Sequence, residues 1–268
     1  MGSDEIRRRE DNERRAFSKV GNEGRAVVED DANLLLPEET IERYGARLRG
    51  DAPPRTPLEQ MFAFIGPSLE GKKVLEICCH TCEFGAILAR LGADVTSVDI
   101  AEPLVAIAER RASVNGVTDR LKPAVMSVHE MTFPDATFDI VFGKAALHHL
   151  DLGAARREIF RVLKPGGVAV FSEPVSLSPR LSSLRERIPV TPNRESPDER
   201  PLTPDDLDTF CQPFSARQDV YYRLFSRLDR LVPSTRFGIL MSQLDRALMQ
   251  SMPMLRRAAG QAAFVVTR

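Results

Sequence analysis

The sequence predicts an α/β protein with a mostly parallel, doubly wound sheet, and three observations carry that prediction. Short apolar runs alternate with segments of helical spacing from Lys72 to Pro174. The runs read as strands buried on both faces. All but the third are joined to the next through a helix, the crossover that parallel neighbours need.

The elements follow in order. Residues 1–33 are charged and of mixed sign, which predicts a mobile segment. Residues 34–71 predict a helical extension: EETIERYGARLR is amphipathic, DAPPRTP is a turn, and PLEQMFAFIGPSL leads as a helix into the first strand. Strand one is Val74 to Ile77. Phe84, Ile87, Leu88 and Leu91 follow at helical spacing, with Gly92 as the stop. Strand two runs from Val95 to Val98 and ends at Asp99. Glu102, Pro103 and Leu104 open a helix, which stops at Asn115-Gly116. Leu121 to Met126 is strand three, and Pro123 assigns it to an edge. Phe138 to Phe142 is strand four. Leu152, Ala155, Ile159 and Leu163 mark a helix closed by Lys164-Pro165-Gly166-Gly167, and Val168 to Ser172 is strand five.

After Glu173-Pro174 the alternation stops, although 175–268 reads as part of the same domain. Residues 174–204 are rich in Pro, Ser and Arg. Thr203-Pro204-Asp205-Asp206 is a capped helix start. Residues 217–224 predict a sixth strand, 237–252 a Met-rich helix, and 262–267 a last strand.

Composition narrows the function. The chain has 268 residues, a formal net charge of -1 and 43% hydrophobic residues. That is enough for a core, and the near-neutral balance offers nothing to nucleic acid. No apolar run approaches the roughly 20 residues that span a bilayer. The start, MGSDEIRRREDNERR, lacks the apolar core of a signal peptide. The expectation is a cytoplasmic protein with reduced thiols.

The loop after strand one departs from what a nucleotide-binding α/β protein shows. Glycines normally stand there, letting backbone approach a ligand. Here the residues are Cys78, Cys79, His80, Thr81 and Cys82. Cys79 to Cys82 is a CxxC ahead of a helix N-terminus, the setting of a low-pKa redox dithiol. Cys78, Cys79, His80 and Cys82 are also zinc-ligand types, although no second ligand pair is evident.

Four stretches carry a resemblance: VLEI with its turn and helix, ADVTSVDIAEPLVAIAERRA, FPDATFDIVFGKAALHHL, and REIFRVLKPGGVAVFSEP. With them, residues 72–174 resemble the class I S-adenosylmethionine-dependent methyltransferases, most closely the small-molecule type 11 group. The resemblance implies a seven-stranded sheet with the last strand antiparallel, which AAFVVTR fits. It implies methyl transfer from S-adenosylmethionine to a small molecule. It implies that Asp99 accepts from the ribose hydroxyls, that Ile100 packs on the adenine, and that Glu76 orients the polar end of the ligand. Cys78, Cys79, His80 and Thr81 form the cofactor loop. Ser127 and Val128 follow strand three, with Ser127 where the family commonly has an aspartate. Gly143 would offer its carbonyl to the amino group of the methionine moiety, with Lys144 solvated beside it.

His148 is the candidate base on a substrate hydroxyl, its alternative being a packing histidine. Glu173 reads either as facing the substrate or as a hydrogen-bonded loop carboxylate. In the pattern E-x-G-x-G-x-G the three glycine places hold Cys78, His80 and Cys82. Either the turn adopts ordinary backbone angles, or each residue is strained by about 1 kcal/mol or more. A protein of this fold that serves as a scaffold or catalyses another reaction stays open. Residues 174–204 and the Met-rich helix would cover the substrate; the helix reads equally as packing or as a homo-oligomer face.

Overall fold

The computed structural model describes residues 2–27, 31–178, 199–223 and 235–268. Buried strands must pair their backbone groups, and here they form one seven-stranded sheet. The strands are β1 (Lys73–Ile77), β2 (Asp94–Asp99), β3 (Leu121–Val125), β4 (Phe138–Lys144), β5 (Leu163–Pro174), β6 (Ala216–Tyr222) and β7 (Gln261–Thr267). Their order is β3-β2-β1-β4-β5-β7-β6. The first five are mutually parallel, and β7 runs antiparallel between β5 and β6. Pro123 lies on the edge strand β3, where a missing N–H is tolerated.

Eight α-helices lie among the described residues: α1 (Ser3–Val27), α2 (Glu38–Arg49), α3 (Pro57–Ile65), α4 (Glu83–Arg90), α5 (Glu102–Val114), α6 (Leu152–Val162), α7 (Pro204–Cys211) and α8 (Thr235–Ser251). Thr203 and Asp206 cap α7 reciprocally, with Pro204 in its first turn. No helix among the described residues is long and apolar enough to cross a membrane.

Strand periodicity sorts the core into two layers. Leu75 and Ile77 of β1 join Val141, Ile159, Phe171 and Phe210 on one face. Val74 joins Phe62, Ile87 and Phe142 on the other. Side chains alternate along a strand, so Glu76 points to the face that α4 covers.

Two segments differ from the sequence expectation. Residues 1–33 were expected to be mobile, yet Ser3–Val27 is a 25-residue helix. It docks because Arg9, Glu13, Phe17 and Gly21 recur every four residues and share one side. At Gly21 it meets α5 so closely that a Cβ would lie 2.8 Å from Pro103 Cβ. The Met-rich helix α8 packs along β6. Met249 is buried while Leu240 and Leu244 are exposed, so the helix is a packing element with an open outer side. Most of the stretch expected to cover the substrate, residues 179–198, lies outside the described residues.

Candidate functional site

The strand order reverses between β1 and β4, and the carboxyl ends there leave a crevice for ligands. A cavity of about 370 Å³ occupies it. That is within the usual range of about 300–1,000 Å³ for ligand pockets. The walls are the β1–α4 loop, Asp99-Ile100 after β2, Met126 to His129 after β3, Lys144-Ala145 after β4, His148 to Leu150, and α1.

All three glycine places in the loop hold left-handed backbone: Cys78 has φ 50°, His80 51° and Cys82 58°. The reading of ordinary backbone angles is therefore overturned. Surrounding bonds hold the geometry in place, as strained residues require. Cys79 N–H donates to Val98 O at 3.1 Å, Cys82 N–H to Cys79 O at 2.7 Å, and His80 N–H to Asp99 Oδ2 at 2.9 Å. Arg111 Nε donates to Thr81 O at 2.8 Å from α5.

The side chains divide. Cys78, Cys79, His80 and Thr81 line the cavity, and Cys82 turns inward. Cys82 Sγ lies 3.2 Å from Glu76 Oε2 and 3.1 Å from Ser97 Oγ. A Cβ on Gly85 would meet all three atoms at 2.5–2.6 Å, so only glycine lets α4 settle onto this group. Burial pushes the Glu76 carboxyl up to about 7, and hydrogen bonds from Ser97, Cys82 and the Gly85 amide only partly oppose it.

The redox expectation is corrected on the same ground. Burial raises the Cys78 and Cys82 thiols, and Cys79 is raised by its hydrogen bond with Cys82 and then by burial. Desolvation outweighs the helix N-terminus, and the thiols stay protonated at neutral pH. The proposed metal quartet does not assemble either. Of its members only Cys79 and Cys82 converge, with Glu76. In that group Cys82, Glu76 and Ser97 already satisfy one another, and the space between them is the space that Gly85 leaves.

Asp99 is buried at the end of β2. Its oxygens accept from His80 N–H and, at 3.0 Å, from Ala101 N–H. A carboxylate has lone pairs beyond these two. Burial raises its pKa, and the backbone donors hold it back. Ile100, Ser127 and Val128 line the cavity. Ser127 accepts from His129 N–H at 3.0 Å and hydrogen-bonds Glu10 of α1. Gly143 does not line the cavity. A Cβ there would meet the Phe171 ring at 2.9 Å, so its backbone is packed into the sheet, and Lys144 and Ala145 stand at the surface instead. Lys144 is exposed over the Phe84 ring at 5.3 Å.

At the opposite end Glu173 is fully buried. Its Oε1 accepts from Ala146 and Leu147 N–H at 2.8 and 2.9 Å, and Oε2 accepts from His148 Nδ1 at 2.8 Å. It is a hydrogen-bonded carboxylate at the end of β5, not in a loop, that positions His148 and does not line the cavity. His148 consequently presents Nε2, 3.5 Å from Glu199 Oε1. Burial lowers the His148 pKa, and the surrounding carboxylates, Glu173 first, reverse this to a net rise.

The residues of α1 escape the sequence reading. Arg9 donates to the His149 and His148 carbonyls at 2.8 and 2.9 Å. Glu10 bonds His129 Nδ1 at 2.7 Å. His129 Nε2 accepts from Asp151 N–H, so the proton sits on Nδ1. Phe17 meets the rings of His80 and His149 edge-on at 6.3 and 5.2 Å. All four histidines of the chain line this one cavity. The four-residue recurrence in α1 was the available signal.

Sheet order, the left-handed turn after β1 and the carboxylate closing β2 together define a Rossmann-like methyltransferase fold. Residues 75–171 match the family described as "Methyltransferase domain". The chain is 31% identical to a sterol 4-C-methyltransferase of Caenorhabditis elegans over 40% of this chain and 39% of that protein. It is 34% identical to the 27-O-demethylrifamycin SV methyltransferase of Amycolatopsis mediterranei over 42% of each. It thus spans about two fifths of the curated relatives that it matches. Its fold is similar to that of the [4+2]-cyclase SpnF, with a TM-score of 0.52, 20% identity, and coverage of 74% of this chain and 75% of that one.

Proposed function

We propose that the protein transfers a methyl group from S-adenosylmethionine to a small-molecule acceptor. One observation carries this reading: the β1 turn keeps left-handed backbone at all three glycine places and donates His80 N–H to Asp99. Without glycines, the chain tolerates strain of about 1–2 kcal/mol per residue to hold that shape.

The residues present fit the cofactor. Asp99 would take the ribose hydroxyls, Ile100 and Val128 the adenine faces, and Ser127 the adenine edge. Glu76 and the Cys78–Thr81 backbone would orient the methionine end. The cavity wall carries Glu10, Glu13, Glu76, Glu83, Asp99 and Glu199 against Lys144, a balance that favours a ligand with a sulfonium and an ammonium. The cofactor supplies an electrophilic methyl group on a good leaving group. The chain's own contribution is alignment and exclusion of water, with α1 closing one side of the cavity. His148, fixed by Glu173, is placed at the acceptor end to hold or accept the acceptor's proton.

Isothermal titration calorimetry of reduced, metal-free protein with S-adenosylmethionine tests the reading. The expected result is saturable binding. An absence of heat and of competition by S-adenosylhomocysteine would overturn it. Relatives named for sterol and rifamycin substrates suggest an acceptor panel of hydroxylated polycyclic compounds, scored by transfer of labelled methyl.

A further inference from the structure

His148 and His149 are neighbours on the short 3-10 turn Leu147–His149, and their rings lie 4.1 Å apart, tilted by 39°. One ligand atom from each of His148, His149 and Glu199 falls within 4.8 Å of the other two. His148 Nε2 is 3.5 Å from Glu199 Oε1. Two ligands on one tetrahedral ion, each bonded at about 2.0–2.1 Å, stand about 3.4 Å apart.

The surroundings support the same conclusion. Glu173 Oε2 holds His148 Nδ1, which fixes the ring and aims the Nε2 lone pair at the cavity. Such carboxylate backing is the usual support of a metal-ligating imidazole. His149 Nδ1 is buried without a hydrogen bond, although Glu13 Oε2 lies 3.2 Å away. The nearby guanidinium of Arg9 donates to the His149 and His148 main-chain carbonyls.

We propose that His148, His149 and Glu199 bind one divalent transition-metal ion of the zinc class at the acceptor end of the cavity. Two imidazoles and one carboxylate leave coordination positions open, as catalytic rather than structural sites do. The open position suits an acceptor oxygen, a hydroxyl or phenol, whose proton a bound ion makes more acidic. His148 is then a ligand rather than the base. Only this acceptor role rests on the methyltransferase reading; ion binding does not.

The test is a Co2+ titration of the full, reduced chain followed by absorption. Expected are about one ion per chain, visible d–d bands, and no thiolate charge-transfer band in the near ultraviolet. Glu199→Gln and His149→Ala, each shown folded by circular dichroism, should weaken binding by more than about 100-fold, and Glu173→Gln by about 10–100-fold. Cys79→Ser should leave the cobalt affinity unchanged. No binding at millimolar Co2+, a thiolate band, or full affinity in Glu199→Gln overturns the proposal. Cobalt binding without S-adenosylmethionine binding upholds this site and sinks the function proposed above; the reverse sinks this site alone.

Discussion

Glu76 on β1 stands beside Ser97 on β2 in register, and Ser97 Oγ donates to Glu76 Oε2 at 2.7 Å. That contact, closed by Cys82 Sγ, ties the cofactor loop to the sheet beneath it. It also places a carboxyl, with the Ser97 hydroxyl, in a layer built mainly of apolar side chains.

The stability of the protein should therefore depend on pH through Glu76. Its carboxyl sits near 7 in the fold against an ordinary 4.5. The native state holds the proton more tightly, so this stability is fully present below pH 4.5. It falls as pH rises through about 7, by on the order of 3 kcal/mol in all. Urea unfolding across this range should show the decline, and Glu76→Gln should flatten it. An equal slope in the variant would assign the dependence elsewhere.

Glycine substitutions in the loop should act in opposite directions. His80 is exposed, so His80→Gly removes left-handed strain at little packing cost and should stabilise by about 1 kcal/mol. Cys82 has the same backbone but a buried thiol between Glu76 and Ser97. Cys82→Gly should destabilise by about 1–3 kcal/mol, because it opens a void beside a buried carboxyl. Denaturation midpoints decide; two shifts of the same sign would refute the division of side chains. Gly85→Ala belongs to the same series and should cost about 1–3 kcal/mol through overlap with Cys82, Glu76 and Ser97.

Asp99→Asn should weaken S-adenosylmethionine binding about 10–100-fold, since hydrogen bonds to a charged acceptor contribute about 1.5–3 kcal/mol. The asparagine oxygen can still accept from one backbone amide, so the loop should keep its shape. Calorimetry measures the affinity, and thermal unfolding checks the fold. Unchanged affinity would remove Asp99 from the site.

Glu173→Gln should separate positioning from packing. Its carboxamide oxygen can still accept from Ala146 and Leu147 N–H, but its NH2 then faces His148 Nδ1. The ring must change tautomer or turn. Stability should fall by about 1–3 kcal/mol and methyl transfer by more than KM changes. Nitrogen-15 chemical shifts of the His148 ring report the tautomer directly; an unaltered spectrum would contradict the positioning role.

Much of the fold was readable because strands and helices announce themselves locally. The runs at Val74, Val95 and Phe138, and the Thr203–Asp206 cap, need only neighbouring residues to be recognised. Asp99, Ile100, Ser127 and Val128 could be placed at the cavity because they directly follow strands whose carboxyl ends must share one edge. That Gly143 is packed against Phe171 and does not line the cavity was not readable, because the contact depends on a partner 28 positions away.

The sequence by itself determined the order of elements and the oddity of Cys78, His80 and Cys82; the crevice at the β1/β4 switch came with the strand order. Only the tertiary structure decided what that oddity does. Whether a cysteine is a thiolate, a ligand or a buried donor depends on desolvation and on atoms brought from other strands, here Glu76 and Ser97. The same holds for α1, read alone as a mixed-charge tail. Its four-residue recurrence marks one side of a helix, but Arg9, Glu10, Glu13 and Phe17 acquire roles only where His80, His129 and His149 converge, because local spacing does not name the distant partners.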